Sequence, residues 1–372
     1  EERKMSKYLL RDIHFQQYGN PIIPINFWRA APLTPNGEKT VYEAREAIKA
    51  ILDGKDPRKI AVIGPCSVSD EKAVKELALQ VQPLVVKYSD KFVVIFRQCY
   101  EKPRTRKTRK TWRGFIVDPN LKGQVNYHEG YTRARELLVY TTDLGLPVAT
   151  EFVDKSTPQI IDDAISWAWI GARSVEHQEH RGLVSGLSMP TGIKNSTSGN
   201  VMKAIDAIVT AREPDEFQAL HPFGLTCPTP TKGNPYVHLV LRGGEETGPN
   251  YSEEQVKEAQ RLLLKEGLRP NVLVDCSHDN TRNIGNGKKK EYERQLIVGE
   301  EVVRQIRDGN QHLIGLMMEI HLKGNKAELP DNFLQADFDP TILPFGQSIT
   351  DPCLPLEDAV KFLDEAYRSI RI

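Results

Sequence analysis

Eight short β-branched or apolar runs along the chain each finish in a polar or charged residue of chemically useful type. They are KIAVIGPC ending at Cys66, KFVVIFR at Arg97, LPVATE at Glu151, AWIGAR at Arg173, PTGIK at Lys194, VHLVLR at Arg242, NVLVDCSH at His278 and LIGLMME at Glu319. Amphipathic helical patterns lie near 71–88, 129–144, 157–166, 199–213, 252–267, 290–308 and 356–370. The alternation predicts an α/β fold, a parallel (β/α)8 TIM barrel over 59–372, with catalytic groups gathered at the C-terminal strand ends. A chain built this way is expected to be an enzyme.

Residues 1–58 fall outside that rhythm. Pro21, Pro24, Pro32 and Pro35 remove backbone donors and predict an extended arm with turns. In TVYEAREAIKAILDG, Val41, Ala44, Ile48, Ile51 and Leu52 share one face and Gly54 offers a C-cap, which predicts a helix. An apolar arm outside a complete barrel points to contact with another subunit. The segment at about 98–128 is too long for an ordinary strand-to-helix connection, and 215–237, rich in Pro and Thr, reads as irregular structure or a hairpin.

The 372 residues suffice for one barrel plus additions. Fifty Lys+Arg balance fifty Asp+Glu, so no global field recruits nucleic acid or an anionic membrane. No apolar run reaches the ~20 residues of a bilayer span, and EERKMSKYLLRD lacks a secretory signal's apolar stretch. A cytoplasmic protein is expected. Cys66, Cys99, Cys227, Cys276 and Cys353 are odd in number and form no CxxC pair, against a disulfide framework or zinc knuckle.

Arg97, Lys102, Arg173, Lys194 and Arg242 at strand ends would share one bowl, where their repulsion calls for a multiply charged anion carrying phosphate and carboxylate. The alternative is salt bridges to Glu101, Glu151 or Asp118. EKPRT, with Lys102, Arg104 and Thr105, offers a second anion site. The following Arg106, Lys107, Arg109 and Lys110 extend it, touch nucleic acid or are simply solvated, and Trp112 anchors the loop by burial. Cys66, His278, Glu319 and Asp351 form a mixed S/N/O set suited to Mn2+, Fe2+, Co2+ or Zn2+; a buried cysteine and a satisfied histidine are the alternatives.

GPCSVSD (64–70), EKPRT (101–105), IGARS (170–174), GIKN (192–195), LVLRGG (239–244), SH (277–278) and SITDPC (348–353) closely resemble the metal-dependent class I 3-deoxy-D-arabino-heptulosonate 7-phosphate synthases. The match runs in order from about 35 to 372. The resemblance implies condensation of phosphoenolpyruvate with erythrose 4-phosphate at the head of the shikimate pathway, by homodimers or homotetramers. It places the metal on Cys66, His278, Glu319 and Asp351. Phosphoenolpyruvate falls on Arg97, Lys102, Glu151, Arg173, Lys194 and Arg242, and the aldose phosphate on Arg104 and Thr105 with Asp351 nearby. Lys102 is the implied proton donor to the aldehyde oxygen. Asp154, Pro158, Gln159, Ser188, Phe217 and Ala219 match positions of an aromatic amino acid inhibitor site; a local turn or cap at Asp154 is the alternative. Departures are the inserted RKTRK, Ser196-Thr197-Ser198-Gly199 in place of Gly-Thr-Asp-Gly, a divergent 221–235, and Asp279 where alanine is usual. They support a second reading, a different aldose phosphate in secondary metabolism; an idle regulatory paralogue is a further alternative, which loss of Cys66, Lys102 or His278 would favour, and all three are present.

Overall fold

The computed structural model describes residues 12–105, 108, 111–283 and 289–371. The basic run at Arg106, Lys107, Arg109 and Lys110 lies outside the described residues. Eight parallel strands, β1 Lys59–Gly64, β2 Phe92–Arg97, β3 Val148–Glu151, β4 Trp167–Ile170, β5 Thr191–Lys194, β6 Val237–Leu241, β7 Val272–Asp275 and β8 Leu313–His321, follow one another around the sheet. β8 pairs with β1, from Ile60 opposite Gly315 to Gly64 opposite Glu319, and closes the barrel.

The pleat explains why these strands read as unbroken apolar runs. Ile60, Val62, Val93, Ile95, Trp167, Trp169, Val240 and Leu273 fill the barrel's interior, while alternate residues such as Ala61, Ile63, Val94, Ala168 and Val274 pack beneath the helices. Both faces are buried, so both must be apolar.

The predicted N-terminal helix exists, as α2, Pro35–Leu52, with the Thr34 hydroxyl accepting from the Gly37 N–H at 3.0 Å. Its Ile48, Ile51 and Leu52 join the interior cluster, and Asn271 beside β7 donates to the Leu52 carbonyl at 2.8 Å. Thus α2 stoppers the barrel at the end opposite the polar strand termini. The preceding segment is less extended than its prolines suggest. Pro24–Ala30 forms helix α1, with Pro24 in the first turn, where a missing N–H costs nothing.

Other boundaries shift too. Gln178–Gly186 is helical, although its two glycines weaken the pattern. The predicted helix at 290 starts at Arg294, and Lys289–Lys290 instead pairs with Arg282–Asn283 in a small hairpin. Between β5 and β6, Glu216–Leu220 and Thr226–Pro230 form an antiparallel hairpin. No helix among the described residues is long and apolar enough to cross a membrane.

Candidate active site

At the C-terminal strand ends, Lys102, Arg104, Glu151, Arg173, Lys194, Arg242, His278, Glu319 and Asp351 line one cavity, with Cys66 and Arg97 buried beneath it. Cys66 Sγ, Glu319 and Asp351 each offer a ligand atom, all within 4.8 Å of one another. His278 Nε2 stands 4.0 Å from Glu319 Oε1. A thiol and two carboxylates within reach of one point suit a divalent transition ion, and the His278 imidazole stands beside Glu319 but outside that set.

His278 and Glu319 are held in place. His278 adopts φ 56°, uncommon for a residue with a side chain, and its Nδ1 lies 2.8 Å from Asp275 Oδ2 and 2.6 Å from Ser277 Oγ. Burial lowers the imidazole pKa against the opposing pull of Asp275. A neutral ring with its Nδ1 proton on a carboxylate leaves Nε2 as a ligand. Glu319 is clamped through its backbone by Gln295, whose amide accepts from the Glu319 N–H at 2.8 Å and donates to its carbonyl at 3.1 Å. Asp275 and Gln295 were not among the sequence-derived site residues. Asp275, three residues before His278 at a strand end, carried a usable signal; Gln295 lies inside a helical pattern and carried none.

Four of the five cations meet acids, though not those that the alternative reading named. Arg97 donates to Glu319 at 2.7 Å and to the Pro65 carbonyl. Lys194 meets Asp275 at 2.6 Å, Arg242 meets Asp279 at 2.5 Å and Lys102 lies 3.8 Å from Asp351. The sequence offered Glu101, Glu151 and Asp118 instead. Glu101 faces the Val153 and Asp154 N–H groups at 3.2–3.3 Å, and Asp118 accepts from those of Lys122 and Gly123. Acids at the end of and beyond β7 and β8 already offset part of the charge, so the bowl does not need an anion merely to exist. Arg97 and Lys194 also lie over the Trp169 ring, each 5.2 Å from its centroid, a cation–π floor built by the barrel's interior layer.

Lys102 Nζ donates to Cys66 Sγ at 2.9 Å and to the Cys66 carbonyl at 3.2 Å. Burial opposes its charge, but Cys66, Asp351 and Glu319 outweigh that and hold its pKa above the ordinary lysine value. It is therefore a protonated donor. Glu151 needs a glycine opposite, because a Cβ on Gly171 would stand 2.0 Å from its Oε1. Arg173 donates to the Thr105 hydroxyl at 2.9 Å, and Arg104 to the Trp112 carbonyl at 2.8 Å. Trp112 is buried, its indole N–H on the Asp118 carbonyl. The two predicted anion sites thus touch.

The sequence agrees with this geometry. The family model for the DAHP synthetase I family matches residues 35–364. The chain belongs to the DAHP synthetase I family. It is 37% identical over 368 residues to the Tyr-sensitive phospho-2-dehydro-3-deoxyheptonate aldolase of Escherichia coli strain K12, covering 98% of each chain. It is 38% identical to the Phe-sensitive enzyme of that strain, covering 97% of each. The phospho-2-dehydro-3-deoxyheptonate aldolase structure from Francisella tularensis SCHU S4 superposes with a TM-score of 0.88 at 36% identity, covering 95% of this chain and 98% of that one.

The residues matched to the family's inhibitor site stand apart from the cavity. Phe217 and Ala219 are buried on the hairpin strand Glu216–Leu220, with Phe217 against Gly182 and Gly186 of the neighbouring helix. Pro158 and Gln159 open the helix Pro158–Ile161, and Ser188 is exposed. Asp154 accepts from the Ser156 N–H at 2.8 Å, the local turn that was the simpler reading. A Lys155–Glu179 ion pair joins this loop to the helix beneath the hairpin.

Proposed function

We propose that the chain, a transferase, condenses phosphoenolpyruvate with erythrose 4-phosphate to give 3-deoxy-D-arabino-heptulosonate 7-phosphate and phosphate, the entry to aromatic amino acid biosynthesis. The observation that carries this reading is the gathering of a thiol and two carboxylates beside a cavity lined by an imidazole and a ring of cations, in a near full-length relative of phospho-2-dehydro-3-deoxyheptonate aldolases.

Arg97, Lys102, Glu151, Arg173, Lys194 and Arg242 hold phosphoenolpyruvate, with arginine forks on its phosphate and carboxylate. Arg104 and Thr105 hold the aldose phosphate. Cys66, His278, Glu319 and Asp351 would hold a divalent ion, Mn2+, Fe2+, Co2+ or Zn2+, which would supply Lewis-acid polarisation of the aldehyde. The enolpyruvate C3 forms the new C–C bond to the aldehyde carbon while Lys102 passes a proton to the aldehyde oxygen. Water then adds at C2 and the C–O bond to phosphate breaks.

Asp154, Pro158, Gln159, Ser188, Phe217 and Ala219 form the effector site in this reading. The relatives' names differ between Tyr- and Phe-sensitive. Exposed Phe15 and Tyr18 on the arm and Phe223 and Leu225 at the hairpin tip, joined by the Ile25 N–H on the Pro222 carbonyl, support subunit contact in a homodimer or homotetramer. The five cysteines are free thiols, which suits the cytoplasm.

Phosphoenolpyruvate consumption assayed against a panel of C3 to C5 aldose phosphates tests the reading. Erythrose 4-phosphate is expected to give the highest kcat/KM. A different preferred aldose would transfer the assignment to a secondary pathway, and no turnover with any would leave the idle paralogue.

A further inference from the structure

The loop after β7 holds a carboxylate that the substrate and metal assignments leave without a role. Asp279 is fully buried, and its two oxygens gather three cations. Arg242 Nη1 lies at 2.5 Å, Lys290 Nζ at 3.2 Å, and Arg282 Nε makes a shorter contact. Its N–H donates to the Arg242 carbonyl at 3.1 Å. Gly243, at φ 74°, packs so closely beneath that a Cβ would stand 2.5 Å from the Asp279 carbonyl carbon, which fixes the carboxylate's height over β6.

One negative charge facing both Arg242 and Lys290 leaves a cationic excess. Both cations line the catalytic cavity. They come from different elements: Arg242 follows β6, whereas Lys290 lies on the small hairpin, paired with Arg282. Asp279 therefore ties the cavity floor to the hairpin at its rim. The Lys290 side chain is 46% exposed, and its tether to a buried carboxylate removes rotamer freedom that anion capture would otherwise cost.

We propose that Lys290 is a further anion ligand on the phosphoenolpyruvate side of the cavity, and that Asp279 is a positioning residue that holds Lys290 and Arg242 as one clamp. The proposal rests on the functional reading above. Arg242 meets the substrate's anionic group from the floor and Lys290 from the rim.

Steady-state kinetics and calorimetric titration with phosphoenolpyruvate and with inorganic phosphate test this on Lys290→Ala, Lys290→Arg and Asp279→Asn. Lys290→Ala is expected to raise KM and Kd for phosphoenolpyruvate roughly ten-fold, the scale of one lost charge-assisted bond. Its effect on kcat and on KM for the aldose phosphate should be far smaller, and Lys290→Arg should recover most of the loss. Asp279→Asn should reproduce the KM effect, and adding Lys290→Ala to it should change little more. Unchanged phosphoenolpyruvate affinity in Lys290→Ala overturns the proposal. Tighter binding in Asp279→Asn does so too, since Asp279 would then compete with substrate for Arg242. If Asp279→Asn fails to fold, the two Lys290 variants still decide. A wild type that turns over both substrates while Lys290→Ala matches it sinks only this proposal; a wild type that binds phosphate but never consumes phosphoenolpyruvate sinks the functional reading.

Discussion

Burial and the Glu319 carboxylate push the Cys66 thiol up to about 12, so an incoming divalent ion must displace a proton that Lys102, 2.9 Å away, only partly helps to remove. Metal uptake should release that proton, and apparent affinity should rise with pH below that value. Cys66→Ser is expected to lower bound metal after dialysis while the unfolding midpoint stays close to wild type; equal metal content would remove Cys66 from the ligand set. Arg104→Ala should raise KM for the aldose phosphate roughly ten- to hundred-fold and that for phosphoenolpyruvate far less, measured with each substrate varied in turn. Cys66, His278 and Glu319 could be brought to one end of the barrel from sequence because residues at or just past strand ends converge whatever their separation along the chain, whereas Asp351 lies well beyond β8 and has no strand to place it. Gln295 could not, while Asp275 showed only as an acid at a strand end and Asp279 only as an acid where alanine is usual. They act through another residue's side chain or backbone, and such contacts leave no periodic trace.

Between elements, two couplings carry stability. Helix α2 puts Ile48, with no exposed surface, into the barrel's interior cluster. Ile48→Ala should cost about 2–5 kcal/mol in denaturant unfolding, and a negligible cost would mean that α2 does not seal the barrel. Glu101 joins the loops after β2 and β3 through the Val153 and Asp154 N–H groups. Burial first, and Asp154 second, push its carboxyl up to about 8 from 4.5. The folded state then binds more protons than the unfolded one across that interval, so this group's contribution to stability is full at low pH and falls as pH rises from 4.5 to about 8. Glu101→Gln should flatten that slope in unfolding midpoints taken across the window, and an unchanged slope would assign it elsewhere. All eight barrel strands and α2 followed from their patterns, since burial on both faces or on one stripe imposes a period. Helix α1, the Gln178–Gly186 helix and the short hairpin at Lys289–Lys290 did not, because their proline, glycine and lysine content favours other local structure and tertiary contacts decide.

For the molecule as a whole, the even balance of 50 basic and 50 acidic residues hides strong local order. Arg97, Lys194 and Arg242 are buried opposite Glu319, Asp275 and Asp279 at one end of the barrel, while the other end is closed by apolar side chains. Such an arrangement directs charge to a single cavity, where in the proposed reading Cys66, His278, Glu319 and Asp351 act together on an aldehyde. Turnover of phosphoenolpyruvate with erythrose 4-phosphate, followed in chelator-stripped protein as Mn2+ is titrated back, tests this most directly. Activity is expected to vanish with the metal and return in proportion to the ion bound per chain, whereas full turnover in a demonstrably metal-free sample would contradict the account.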